Sequence, residues 1–333
     1  MADATRPQLA EFEAAARLLS GILTPAPLVP KEGAGGEVLL KVELAQPTGS
    51  FKVRGVFHAV ARMDPERRAR GISTVSAGNT AKALAWAGRH FGVSARSLMP
   101  EGAPQTKIDA VRALGGTPVL VPVEELFRFL REASWEAEPF AFVHPWTDRD
   151  VLVGHGTMGL EIAAECPEVD TVFIPVGGGG LLGGVGSALR AVLPGVRIVA
   201  VEPAGCPALH AALAHGAPVR VDCDTICDGV AVPAIADEVF PLLRDLADEV
   251  LLVEEDAVRA AIRDLAEGEQ LIVEGAGALA VAAAMGMAPS ERGRAVCLVT
   301  GGGIDADLLA SILPGRRLKR EDCGRPPGRA GTE

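Results

Sequence analysis

Nine short aliphatic runs, separated by helix-forming stretches, restrict what this chain can fold into. The runs are Leu39–Leu44, Ser73–Ser76, Ser97–Met99, Val119–Val121, Ala141–Val143, Thr171–Val176, Arg197–Val201, Val250–Val253 and Ala295–Thr300. They are rich in Val, Ile and Leu, and too short for helices, so they read as buried strands. Between most of them lie amphipathic or alanine-rich stretches of roughly 10–16 residues. The main ones are Gln8–Leu19, Val53–Met63, Thr80–Phe91, Pro104–Leu114, Glu124–Ser134, Thr157–Glu165 and Leu181–Leu193. Pro104 suits the first turn of its helix, and the proline-rich segment Thr24–Pro30 reads as extended chain. Strand–helix alternation builds mostly parallel sheets covered by helices on both faces. Nine strands are many for one sheet, and 333 residues suffice for two units. The expectation is a two-domain α/β protein.

Composition narrows the function classes. A formal net charge of −11 argues against a nucleic-acid-binding surface, which needs clustered Lys and Arg. The polar stretch Met1–Ser20 has no apolar core of a secretion signal, so the expected location is cytoplasmic. The longest uncharged run, Thr171–Leu189, contains seven glycines and a proline, which suits strand, loop and helix better than a membrane span. The six cysteines form no CxxC pair, so zinc is not expected and reduced, packed thiols are. The tail from Pro314 to Glu333 is rich in Arg, Gly and Pro and reads as disordered.

Chemistry enters at Gly49-Ser50-Phe51-Lys52-Val53-Arg54-Gly55, between a strand and a helix. A lysine on such a turn, beside Phe51, can be shielded from water. Shielding disfavours the ammonium and frees the amine to bond an aldehyde. A solvated surface lysine is the plain alternative, and the other motifs decide between them.

The strongest of those motifs is Gly177-Gly178-Gly179-Gly180-Leu181, which ends one strand and opens the next helix. Four glycines in a row stabilise neither helix nor strand, but they let backbone N–H groups converge on an anion at a helix N-terminus. A phosphate site is the expectation. Gly178-x-Gly180-x-x-Gly183 also fits a dinucleotide fingerprint, with Glu202 placed for a ribose hydroxyl, so a nicotinamide-dependent oxidoreductase stays open on this stretch alone.

Three further turns add candidates. Ser76-Ala77-Gly78-Asn79-Thr80 ends a strand; Asn79 reads as a helix cap, and the hydroxyls and N–H groups there suit a second anion, a substrate carboxylate. Val299-Thr300-Gly301-Gly302-Gly303 lets a ring approach the backbone, with the Thr300 hydroxyl within reach of a ring nitrogen. Val273-Glu274-Gly275-Ala276-Gly277 reads mainly as core packing, with Glu274 a candidate for orienting neighbours.

Together these patterns resemble the serine/threonine dehydratase family of pyridoxal-phosphate enzymes, which shares its fold, type II, with tryptophan synthase β. The resemblance runs from about Pro25 to Leu313. It rests on Lys41-x-Glu43-x-x-Gln46-Pro47-Thr48-Gly49-Ser50-Phe51-Lys52-x-Arg54-Gly55, Ser76–Asn79, Gly154-His155-Gly156-Thr157, Gly177–Leu181, Val201-Glu202-Pro203 and Asp228-Gly229. It outweighs the dinucleotide fingerprint. It implies a large cofactor-binding domain, 1–69 with 147–314, and a small substrate-gating domain, 70–146. It implies pyridoxal 5'-phosphate as cofactor, an amino-acid substrate and a homodimer.

The same resemblance implies roles. Lys52 would bond the cofactor aldehyde and serve as base at the substrate α-carbon. Gly177, Gly178, Gly179, Gly180 and Leu181 would hold the phosphate. Phe51 and Gly229 would flank the ring, Asn79 would meet its hydroxyl, Thr300 its nitrogen, and Glu274 would stand nearby. Ser76, Ala77, Gly78, Asn79 and Thr80 would hold the substrate carboxylate. The implied reaction is β-elimination of a β-hydroxy amino acid, such as L-serine or L-threonine, to a 2-oxo acid and ammonia.

This chain departs from the family pattern at several positions. Thr80, Lys82 and Gly303 stand where histidine, glutamine and asparagine are usual, which leaves the substrate open. Lys82 suits an acidic substrate such as 3-hydroxyaspartate, against the plain reading of a solvated helix lysine. Ala77 replaces the serine that acts as second base in serine racemases, so elimination is expected over racemisation; a racemase or a β-replacement synthase is the alternative. Ala208 stands where the family's cation site has a carboxylate, so no metal is expected beside Glu202.

Overall fold

The computed structural model describes residues 6–313, so the expected disordered tail and Cys323 lie outside the described residues. Ten strands are present: β1 (Leu28–Pro30), β2 (Val38–Val42), β3 (Ile72–Val75), β4 (Ala95–Pro100), β5 (Thr117–Val121), β6 (Ala141–Phe142), β7 (Thr171–Pro175), β8 (Arg197–Pro203), β9 (Glu249–Val253) and β10 (Ala295–Val299). All nine expected runs are among them, with ends moved by one or two residues. The addition is β1, within the proline-rich segment, antiparallel to β2 at the sheet edge, where a proline is tolerated.

The strands form two sheets. The larger has the order β1-β2-β10-β7-β8-β9, and the smaller β5-β4-β3-β6. Apart from β1 and β2 all pairings are parallel. The central strands β7 and β10 are buried at every residue, whereas edge strand β9 buries only Val253. Helices cover both faces of the larger sheet. On one side Gly275–Gly286 packs Ala278, Leu279 and Val281 against Val199, Val201 and Cys297. On the other, Gly180–Val192 packs Leu182, Val185 and Leu189 against Val172, Ile174 and Ile198. The tyrosine-free, alanine-rich composition allows such close layers.

The Lys52–Arg62 helix joins the two sheets. Its Val53, Val56, Phe57 and Val60 share one core with Ile72, Leu84, Ala87, Ala95 and Ala141 of the smaller sheet's side. The turn before it is pinned to the larger sheet by a bridge between Ser50 and Gly301 and by Phe51 N–H donating to Thr300 O at 3.0 Å. Lys52 therefore stands where the chain passes from one sheet to the other.

Three helices differ from expectation. Arg149–Glu165 starts eight residues before Thr157 because Asp148 caps it, accepting from Asp150 N–H at 2.9 Å. Its glycines serve close packing: a Cβ on Gly154 would lie 2.6 Å from Arg54 O, and one on Gly159 2.9 Å from Val185 O. The helix expected at Glu124–Ser134 is Val123–Arg131, broken where Ala133 adopts a left-handed φ of 50°. Pro104 occupies the cap position before Gln105–Ala113 rather than its first turn.

The cysteine expectation needs correction. Cys206 and Cys223 form a disulfide, tying the turn after β8 to an irregular segment. Only long-range folding back of that segment brings the pair together, and their spacing of 17 residues gave no local sign of it. Cys166, Cys227 and Cys297 are free and buried, as expected of small hydrophobes.

Candidate active site

A cavity of about 550 Å³ opens where the carboxyl ends of β3, β4, β7 and β10 face one another across the two sheets. Parallel sheets gather their loops at this end, which is where ligands bind in open α/β folds. All the residues to which the resemblance assigns a cofactor or substrate role lie in its wall: Phe51, Lys52, Ser76, Ala77, Gly78, Asn79, Thr80, Gly177, Gly178, Gly179, Gly180, Leu181, Gly229, Glu274 and Thr300.

Lys52 opens its helix and touches the cavity. Among the described residues its amine has no ion pair or hydrogen bond; the Phe51 ring lies 4.9 Å from Nζ. Burial pushes its ammonium down to about 8, against the opposing pull of the Glu274 carboxylate. Phe51 is held by the His155 imidazole at 4.7 Å between ring centroids. His155 is itself buried with neither ring nitrogen bonded, and burial keeps it neutral, its pKa well below the ordinary value.

The glycine loop is a cradle that side chains would fill. A Cβ on Gly178 would lie 2.5 Å from the Trp146 ring, and one on Gly177 2.8 Å from Val230 Cα. Gly179 has φ 89°, in the region that favours glycine. The first backbone bond into this helix runs from Gly183 N–H to Gly179 O, so the amides ahead of it have no helical partner at the cavity wall.

The second helix mouth is Ser76–Thr80. Here the capping expectation fails: Gly78 occupies the cap, Asn79 is the first helical residue, and no side chain caps the helix. Asn79 instead donates Nδ2–H to Glu274 Oε1 at 2.8 Å. Glu274 is buried, and burial followed by repulsion from Asp228 raises its pKa, opposed by Lys82 and Asn79. It belongs to the site more than to core packing. Thr300, at the end of β10, is buried beside the Ser50–Gly301 bridge.

Two expectations about neighbouring residues are overturned. Lys82 is not a solvated surface lysine; it lines the cavity. Glu202 is fully buried, does not line the cavity, and accepts from Leu209 N–H at 2.7 Å and His210 N–H at 2.9 Å. It is spent on capping a helix, so the ribose contact of a dinucleotide site is missing. Among the described residues no cluster of side chains suits a metal ion, Glu202 included.

Three cavity residues had no assigned role in the sequence. Trp146 backs the glycine loop. Lys107, on Gln105–Ala113, pairs with Asp228 beside Gly229 and links the two sides of the cavity. A rare tryptophan after a helix-breaking proline was the available signal for the first; the ion pair, 121 residues apart in sequence, had none.

A shielded amine without an ion pair, a glycine cradle at a helix mouth and a second helix mouth opposite fit an aldehyde-bearing phosphate cofactor and an amino acid. The comparisons agree with that fit. Residues 19–301 match the family model of the pyridoxal-phosphate dependent enzymes. The chain is 38% identical over 286 residues to the L-threonine ammonia-lyase of Thermotoga maritima, covering 85% of this chain and 71% of that protein. Its fold matches the processed form of threonine deaminase isoform 2 from Solanum lycopersicum, with TM-score 0.84 and 32% identity, covering 91% of this chain and 92% of that one. It also matches maize serine racemase, with TM-score 0.85 and 28% identity over 92% of this chain and 96% of that one. Among the described residues no helix is long and apolar enough to cross a membrane. The chain belongs to the pyridoxal-phosphate dependent enzymes of fold type II.

Proposed function

We propose that the protein is an ammonia-lyase that removes water from a β-hydroxy amino acid such as L-serine or L-threonine, yielding a 2-oxo acid and ammonia. The observation that supports this most is the Lys52 amine: buried, without a counter-ion, with its pKa lowered to about 8, in one cavity with two helix mouths. Bound there, pyridoxal phosphate supplies an aldehyde for amines and a ring that draws electrons from the α-carbon.

The chain's own residues supply the rest. The amides of Gly177–Leu181 hold the phosphate without a basic side chain. Phe51, braced by His155, and Gly229 would flank the ring, and Asn79 and Glu274 would stand at its hydroxyl edge. Thr300 would meet the ring nitrogen with a neutral hydroxyl, which would not hold a proton there as a carboxylate does. A weaker electron sink suits prompt loss of a β-leaving group over a long-lived carbanion. Ser76–Thr80 orients the substrate carboxylate, so that Lys52 takes the α-proton; such proton transfer is worth roughly 10²–10⁴-fold. Ala77 has no group to return a proton on the opposite face, which favours elimination over racemisation, although a serine racemase shares the fold.

The two sheets support a division into a large unit, 1–69 with 147–314, and a small gating unit, 70–146, with the Lys52–Arg62 helix between them. The homodimer and the cytoplasmic location expected from the sequence belong to the same proposal. Light scattering tests the first. The Cys206–Cys223 bond pulls against the second, because cytosolic thiols keep most disulfides reduced.

The test is to purify the protein with its cofactor and supply L-serine and L-threonine. A yellow protein that releases 2-oxo acid and ammonia supports the reading. D-serine as the main product would favour the racemase, and a thioether formed from serine and a thiol the β-replacement synthase.

A further inference from the structure

Three carboxylates share the cavity with Lys82, and each is already engaged. Asp228 is paired with Lys107. Asp305 accepts from Asp307 N–H at 2.9 Å and Leu308 N–H at 3.2 Å, capping its own helix. Glu274 accepts from Asn79. Among the described residues Lys82 has no hydrogen bond and no ion pair. Buried lysines outside the cavity are not left this way: Lys31 contacts Asp264 at 2.9 Å and Glu269 at 3.0 Å, and Lys41 contacts Glu161 and Glu165 at 2.8 Å. A half-buried ammonium without a direct ion pair is costly even with Glu274 and Asp228 nearby, and an anionic ligand would relieve that cost.

Position matters as much as charge. Lys82 lies three residues after Asn79, the first residue of the Asn79–Phe91 helix, and helical side chains lean toward the N-terminus. Its Nζ therefore reaches back toward the mouth that we assign to the substrate carboxylate. Gly303 leaves the space before it open: a Cβ there would lie 3.5 Å from Lys82 Nζ and 3.0 Å from Glu274 Oε2. Burial lowers the Lys82 pKa, with Glu274 pulling it back up.

We infer that Lys82 is a specificity-determining residue that binds a second carboxylate on the substrate, so that the preferred substrate is a β-hydroxy amino dicarboxylic acid. This rests on the ammonia-lyase reading and narrows it. In such a substrate the two carboxyl carbons stand about 4 Å apart. One fills the Ser76–Thr80 mouth while the other meets Lys82. The reaction balances without an oxidant. The α C–H and β C–O bonds break, hydroxide leaves with a proton as water, and one water returns to release ammonia and a 2-oxo dicarboxylic acid.

The experiment compares holoenzyme and Lys82→Gln with L-serine, L-threonine and both diastereomers of 3-hydroxyaspartate. It also titrates L-aspartate and L-alanine, which lack a β-hydroxyl, by the change in cofactor absorption. The wild type should prefer a hydroxyaspartate in kcat/KM and bind L-aspartate more tightly than L-alanine. In Lys82→Gln the ratio of hydroxyaspartate to serine kcat/KM should fall about ten- to a hundredfold, mainly through KM, as expected for loss of a charged hydrogen bond. Lys82→Arg should keep most of the preference, and a retained yellow colour shows that each variant is folded. Turnover of serine or threonine without hydroxyaspartate, or aspartate binding unmoved by Lys82→Gln, overturns the inference and leaves the ammonia-lyase standing. A protein that takes up no cofactor and turns over none of the four overturns both.

Discussion

Lys41 and Lys52 flank the same turn and are both taken out of bulk water, yet their surroundings are opposite. Lys41 belongs to a saturated network: it meets Glu161 and Glu165, while Arg54 meets Glu43 at 2.8 Å and Glu161 at 2.6 Å. Lys52 and Lys82 sit in the cavity with no such contacts. The network is where the fold has settled its charges internally. The cavity is where charges wait for a ligand. The comparison separates buried cations paired within the fold from buried cations that face the cavity, although Lys41 and Lys52 lie in one family motif.

The largest expected effect is on the cavity side. Lys52→Ala should remove the yellow colour and lower 2-oxo acid production by about 10²–10⁴-fold or more, with the melting temperature little changed. A coloured, active Lys52→Ala enzyme would erase the distinction. On the network side, Arg54→Leu strands the fully buried Glu43 and should cost about 3–5 kcal/mol in urea unfolding. A loss below about 1 kcal/mol would mean that the network is a bystander.

The pH dependence of cofactor capture sharpens the contrast. Capture needs the neutral amine, and the Lys52 pKa is lowered to about 8. Below that pH each unit removes about nine-tenths of the neutral form, so stopped-flow uptake by apoenzyme should rise about tenfold per unit and level off above pH 8. An ordinary lysine would show no plateau until well above pH 10. The smallest effect is a change of sign. Lys82→Met removes an unpaired cation from the cavity and should leave unliganded protein equally stable or up to about 1 kcal/mol more stable, the opposite of Arg54→Leu.

Much of this molecule was legible before its structure, for a local reason. Runs such as Val172-Phe173-Ile174 are strands wherever they are buried on both faces, and Gly177–Gly180 suits neither helix nor strand, which marks a loop at the strand end. What escaped depends on partners distant in sequence. Asn79 looks like a cap, yet its amide is engaged by Glu274, 195 residues away. Lys82 has the helical spacing of a surface residue, and only the tertiary fold, which brings Gly303 beside it, makes it a cavity wall. Glu202 looks suited to a ribose because its strand position is right, but its carboxylate turns to the amides of the next helix. The disulfide and the Lys107–Asp228 pair likewise arise from segments that only the tertiary fold brings together.

Lys52, Lys82 and Lys107 all line the cavity, so the choice among them can be read directly. Borohydride reduction of the holoenzyme, followed by proteolysis and mass spectrometry of the peptides, locates the amine that bears the cofactor. The expected result is one pyridoxyl group on Lys52. A tag on Lys82 or Lys107, or an untagged Lys52 in a coloured protein, would contradict the account.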